Sequence, residues 1–129
     1  MIVDTSALIA ILNDEPERDQ FAQLLVDNTA RISAANWFEA AMVADSARLR
    51  AGDQFDRLCA SARLIVEPVT EAHARAARIA FRRYGRGSGS KAKLNFGDCF
   101  AYALSATSGE PLLFKGKDFT HTDLLRAIV

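Results

Sequence analysis

Apolar residues along this chain gather into very short runs that alternate with segments of helical spacing. The run Met1-Ile2-Val3 is long enough only for a strand, and after Asp4-Thr5-Ser6 the spacing of Leu8, Ile9, Ile11 and Leu12 becomes helical. Asp14, Pro16 and Glu17 form a capped start with proline in the first turn, so a second helix is expected through Phe21, Leu24 and Leu25, ending at Asn28. Arg31-Ile32-Ser33 reads as a brief strand. A long alanine-rich helix is expected from Ala34 to Arg50 with Gly52 as its stop, followed by a shorter helix through Phe55 and Leu58. β-branched residues mark Leu64-Ile65-Val66 as a fully buried strand closed by Pro68. Thr70 caps the next helix, which sets Ala72, Ala76, Ile79 and Ala80 on one side, Arg75, Arg78 and Arg82 on another, and ends near Gly85. Gly85 to Ser90 form a loop. Asn95 caps a helix from Phe96 to Ser108, and Pro111 to Phe114 supply a strand before the Gly116 turn. Ile128-Val129 are assigned to a terminal edge strand.

Short hydrophobic strands alternating with helices specify the α/β class, a sandwich with a mainly parallel sheet. Ligands of such sheets gather outside the carboxyl ends of the strands. The 129 residues suffice for one core and not for two, and neither repeat nor linker divides them, so residues 1–129 are read as a single domain. Half of the residues are hydrophobic, a quarter are charged and the net charge is zero, which excludes a disordered tail or a uniformly basic coat. Affinity for nucleic acid must then come from local patches. Cys59 and Cys99 lie in apolar, helix-like stretches and lack the number and spacing of a disulfide framework or zinc site, which fits a reducing cytoplasm. The apolar start lacks a preceding basic region, is interrupted by Asp4 and runs into Asp14, Glu15 and Glu17, the wrong flank for a signal peptide. No run reaches the roughly 18–20 apolar residues of a membrane helix. A cytoplasmic protein without membrane attachment is expected.

Three aspartates occupy equivalent places. Asp4 follows the first strand, Asp118 follows Leu112-Leu113-Phe114 across a tight turn, and Asp98 opens the apolar helix Cys99 to Leu104, so all three should face one edge. Glu39 sits among Trp37, Phe38, Ala40, Met42 and Val43, the last two assigned to the buried face, where a glutamate needs a partner. Carboxylates converging on one partly buried edge repel one another unless a cation neutralises them, and the hard ions Mg²⁺ and Mn²⁺ prefer such oxygen ligands. Singly, each acid has a plainer reading. Asp98 lies three residues after Asn95 and Glu39 three after Asn36, the spacing of capping boxes, while Asp4 fits a helix cap and Asp118 a turn residue. Thr5 and Ser6 fit outer hydrogen-bonding partners of the carboxylates as well as plain caps. Asp123 is read as the first-turn acid of a short terminal helix, and His73 and His121 as surface residues.

Between Glu71 and Asp98 no acidic residue occurs, while Arg75, Arg78, Arg82, Arg83, Arg86, Lys91 and Lys93 do. By itself this is a solvated helix face. Because it leads into Asp98, Arg82, Arg83, Arg86, Lys91 and Lys93 are candidates for holding the phosphates of RNA beside the acids. Trp37, Tyr84 and Phe96 are aromatic candidates for stacking on bases, although aromatics at helical positions more often fill the core.

The segments MIVDTSALIAIL, NWFEAAMV, NFGDCFAYALS and PLLFKGKDFTHTD, in this order, resemble the VapC-type toxins of the PIN-domain ribonucleases over essentially the whole chain. The family's acidic quartet falls on Asp4, Glu39, Asp98 and Asp118. The resemblance implies a three-layer, PIN-like sandwich with a five-stranded parallel sheet and Mg²⁺- or Mn²⁺-dependent cleavage of RNA. It also implies a homodimer and a VapB-type antitoxin whose tail covers the groove. Contact with DNA would arise only through that antitoxin. The expected function is the toxin of a type II toxin-antitoxin pair, with Asp4, Asp98 and Asp118 as metal ligands and Glu39 as ligand or orienter of water. The rivals are a phosphate-handling protein of receiver or haloacid-dehalogenase type, which in the phosphatases needs a second aspartate where Ser6 stands, and a non-catalytic binding module.

Overall fold

The computed structural model describes residues 1–128, and Val129 of the expected terminal strand lies outside them. Four strands, among the described residues, build one parallel sheet: β1 (Ile2–Val3), β2 (Arg31–Ser33), β3 (Ile65–Glu67) and β4 (Leu112–Leu113), in the order β3-β2-β1-β4. The helices are α1 (Thr5–Leu12), α2 (Arg18–Asp27), α3 (Ala34–Ala44), α4 (Gly52–Ser61), α5 (Glu71–Tyr84) and α6 (Phe96–Ser108). Successive strand residues point to opposite faces, and the two hydrophobic clusters obey that alternation. Val3, Ile32 and Leu113 pack with residues of α1 to α4 on one face, and Ile2 and Leu112 with α5 and α6 on the other. The expected three-layer α/β sandwich is therefore the observed one.

The fifth strand is reduced to a bridge. Arg126 pairs in parallel with Leu112, whose N–H donates to the Leu125 carbonyl (2.9 Å) and whose carbonyl accepts from Ala127 N–H (2.9 Å). β4 is two residues long, so its outer edge offers no longer ladder.

Other expectations are corrected. The helix expected to reach Arg50 ends at Ala44, where Ser46 Oγ donates to the Val43 carbonyl (2.7 Å) and accepts from Leu49 N–H (3.3 Å), a local alternative to helical bonding. Gly52 starts α4 instead of stopping α3, and a side chain there would collide with the Asp45 carboxylate. The strand expected to be fully buried is β3, an edge strand with Ile65 and Val66 each 44% exposed, because among the described residues β2 is its only neighbouring strand. Finally, α3 buries Asn36, Ala40 and Ala44, which turns Met42 out to solvent together with Phe38. On α5 the buried positions are Ala77 and Ala80, with Ile79 exposed.

Helix ends follow their local chemistry. Thr70 and His73 form a reciprocal capping box at α5, which is the role of His73, while Glu17 at the start of α2 makes no side-chain cap. Gly109 closes α6 at φ 70°, a left-handed conformation that glycine adopts without strain. Among the described residues no helix is long and apolar enough to cross a membrane.

Candidate active site

Asp4 is the residue at which β1 becomes α1. Its N–H extends the ladder to the Leu113 carbonyl (2.9 Å), and its Oδ2 caps α1 by accepting from Ser6 N–H (3.0 Å) and Ser6 Oγ (2.5 Å). The cap reading and the site reading thus coexist, since only one carboxylate oxygen is used. The other, Oδ1, is buried and has no hydrogen-bond partner among the described residues. Ser6 Oγ also accepts from Lys115 N–H (3.0 Å), which ties the start of α1 to the segment leading to Asp118.

Glu39 lies in the second turn of α3. Because α3 begins at Ala34 behind the Ser33 cap, Glu39 is not the acid of a capping box. Thr5 Oγ1 donates to Glu39 Oε1 (2.5 Å), and the Asn36 amide lies 3.5 Å from the same oxygen. Asp98 is the third residue of α6, where its Oδ2 accepts from Asn95 N–H (3.0 Å) while its own N–H donates to Asn95 Oδ1 (2.9 Å). Asp118 opens a short 3₁₀ helix, Asp118–His121, just past the turn at Gly116, whose φ of 101° suits glycine. It is the exposed member of the set.

These four acids share one electrostatic field. Burial pushes the Asp4 carboxyl up to about 7, against the lowering bonds from Ser6, and the charges of Asp98 and Glu39 add to the rise. Burial likewise pushes Asp98 up to about 6, opposed by the Asn95 backbone bond, with Asp118 and Glu39 raising it and Arg86 lowering it. None of the salt bridges among the described residues involves any of the four. No three His, Cys, Asp or Glu side chains among these residues stand as a ready cage for an ion. An all-oxygen set with an orphaned buried oxygen at Asp4 fits Mg²⁺ or Mn²⁺ nonetheless, because Mg²⁺ keeps several waters and takes few protein ligands.

The basic candidates divide. Arg86 is the one whose charge reaches Asp98, and with Gly87, Gly89, Ser90 and Lys93 it lines a shallow pocket in the loop before α6. Arg83 leans over the Tyr84 ring (4.8 Å) and approaches Asp123 (3.7 Å), while Arg82 and Lys91 are exposed without an acidic partner among the described residues. Asp123 stands outside any helix and accepts from the Tyr102 hydroxyl (2.5 Å), a structural tie. Trp37 packs on Phe55 and Tyr84 on Tyr102, whereas Phe96 is 80% exposed beside the site. Sequence reasoning treated Asn36 only as a cap and passed over Gly97 and Lys115. The signal for Gly97 was its place directly before Asp98.

The PIN domain family matches residues 1–125. The ribonuclease VapC28 of Mycobacterium tuberculosis is 50% identical over 130 residues, covering 99% of this chain and 98% of that protein. Among solved structures, the sarcin-ricin-loop-cleaving toxin VapC20 of Mycobacterium tuberculosis superposes with a TM-score of 0.76 at 18% identity, over 98% of this chain and 97% of the other. A toxin-antitoxin complex from Klebsiella pneumoniae contains a chain of the same fold, with a TM-score of 0.71 at 18% identity over 95% and 92% of the two chains. With the match running from β1 past β4 to residue 125 and a half-identical relative covered almost end to end, this chain belongs to the PIN-domain family.

Proposed function

We propose that this chain is a divalent-metal-dependent endoribonuclease, the toxin of a type II toxin-antitoxin pair. The observation that carries the reading is the acidic edge, where Asp4, Glu39, Asp98 and Asp118 share one field without a cation of the chain paired to them. The half-identical ribonuclease relative supports it independently.

Asp4, Asp98 and Asp118 would hold Mg²⁺ or Mn²⁺, with Glu39 as a further ligand or the orienter of the attacking water. Such an ion would supply acidification of the water and polarisation of the scissile phosphoryl group. Ser6 and Thr5 hold Asp4 and Glu39 in place through their hydroxyls, and the Asn95 backbone holds Asp98. Water adds to phosphorus, the P–O bond to the leaving ribose oxygen breaks, and that oxygen is protonated. Arg86 with Lys93, and Arg82, Arg83 and Lys91 farther out, hold neighbouring phosphates as salt-sensitive contacts.

A VapB-type antitoxin and a second copy of the chain are the protein partners in this reading. The exposed apolar side chains Phe38, Met42, Phe81 and Phe96 offer surface for such contacts. The cytoplasm, where RNA is at hand and both free cysteines stay reduced, is its compartment. Purified protein incubated with cellular RNA and Mn²⁺ is expected to cut, and chelation is expected to stop it. Equal cutting by Asp4→Ala would defeat the proposal. Light scattering of the free protein decides between monomer and dimer.

A further inference from the structure

We infer that Asn36 is a positioning residue that fixes the Glu39 carboxylate against the start of α6, with Thr5 and Gly97 as the other walls of one clamp. The inference rests on the ribonuclease reading, because it assigns Asn36 a part in holding that site. The Asn36 side chain is almost fully buried, 1% exposed. Its Nδ2 donates to the Gly97 carbonyl (2.9 Å) and lies 3.5 Å from Glu39 Oε1. Two acceptors on one side set the orientation of the amide, since turning it over would place oxygen against oxygen. Its own Oδ1 meets no donor among the described residues.

Burying an unsatisfied acceptor costs stability, and an apolar side chain there would carry no such cost. Packing alone therefore does not account for an amide at this position, and its donor end does. Thr5 Oγ1 stands 2.5 Å from Glu39 Oε1 and 3.1 Å from the Asn36 carbonyl, yet its one proton serves one acceptor at a time. The Asn36 amide supplies the second donor. On the opposite side, any side chain at residue 97 would collide with both Glu39 carboxylate oxygens, so Gly97 leaves the room that Glu39 occupies. Because Gly97 precedes Asp98, one amide ties Glu39 on α3 to the backbone that carries Asp98 on α6.

The test compares Asn36→Leu and Gly97→Ala with the parent protein, each also placed in a Glu39→Gln background. Cleavage of RNA is measured with Mn²⁺, and the carboxyl ¹³C resonance of Glu39 is followed in the metal-free protein. Asn36→Leu is expected to leave KM unchanged and lower kcat about 10–100-fold, the usual loss when a group orienting a metal-site residue is removed. It is expected to move the Glu39 resonance, and Gly97→Ala to reproduce both effects. In the Glu39→Gln background neither substitution should lower the residual rate further. An unmoved Glu39 resonance, or the same loss of kcat in the Glu39→Gln background, overturns the inference. If the parent itself does not cut RNA, the ribonuclease reading fails while the resonance still decides whether Asn36 holds Glu39.

Discussion

The two edges of one small sheet treat their acids in opposite ways. At the amino edge, Glu110 accepts from the Met1 ammonium (2.6 Å) and from Arg31, whose guanidinium also reaches Glu67 (2.8 Å). The bond from the terminal ammonium, and then that from Arg31, hold the Glu110 carboxyl below its ordinary range. At the carboxyl edge, burial raises Asp4 and Asp98, with the charges of Asp98 and Glu39 adding to the rise at Asp4 and those of Asp118 and Glu39 to the rise at Asp98. The amino-edge acids find their cations within the chain, and there they knit β1, β2 and β4 together. The carboxyl-edge acids have no salt bridge of this kind among the described residues, Arg86 acting on Asp98 only at a distance, so the fold carries an electrostatic cost there, which the proposed metal would relieve.

The sharpest way to break this contrast is to remove the central acid. Asp4→Ala is expected to lower RNA cleavage about 10²–10³-fold, the equivalent of several kcal/mol of charge stabilisation at the phosphoryl group, in single-turnover assays. The same position has the opposite effect on stability. Since the folded Asp4 carboxyl titrates near 7 against about 3.9 when unfolded, the folded state holds the extra proton between those values. Metal-free stability is then fully present below the unfolded value and is lost as pH rises through the folded one. Asp4→Asn removes that loss and is expected to stabilise the metal-free protein by about 2–4 kcal/mol at pH 8 in denaturant melts. An Asp4→Asn protein no more stable than its parent there would remove the electrostatic half of the comparison.

Mn²⁺ at a hundred times its dissociation constant is expected to stabilise the parent by about 2.7 kcal/mol and the Asp4→Asn protein by less, as read from thermal shifts. The amino edge responds more weakly. Glu110→Gln is expected to cost about 1 kcal/mol or less, being a partly exposed ion-pair site, and its contribution should vanish on acidification, because a lowered carboxyl is stabilising only while ionised. Smallest of all, Arg86→Ala is expected to raise the KM for RNA about two- to threefold and to flatten its salt dependence by about one counterion. A larger effect on kcat would move Arg86 from phosphate holding to the acidic edge itself.

Much of this was legible in residue order, and the misses have one kind of cause. The caps at Asn95 and Thr70 and the limits of α6 followed from local hydrogen bonding and the 3.6-residue period. The break after Ala44 did not, because a serine side chain competing for backbone groups is invisible to periodicity. Nor did the outward turn of Met42, since alanines at 40 and 44 allow the close approach that the longer side chains would prevent. At the site, the acids were identified by their places at strand and helix ends. Asn36 was passed over because an asparagine near a helix start reads as a cap until the carbonyl of Gly97 is seen beside it.

Residue order by itself determined the alternation of strands and helices, the α/β class and the four acids worth watching, because periodicity, capping and turn chemistry act over a few neighbours. Tertiary structure alone decided which strand is an edge, which side of α3 is buried, and that Asp98 and Glu39 act on Asp4 while Asp118 and Glu39 act on Asp98. Those outcomes depend on sheet order and helix packing, which join segments 100 and 109 residues apart, and no local rule carries a charge across that distance.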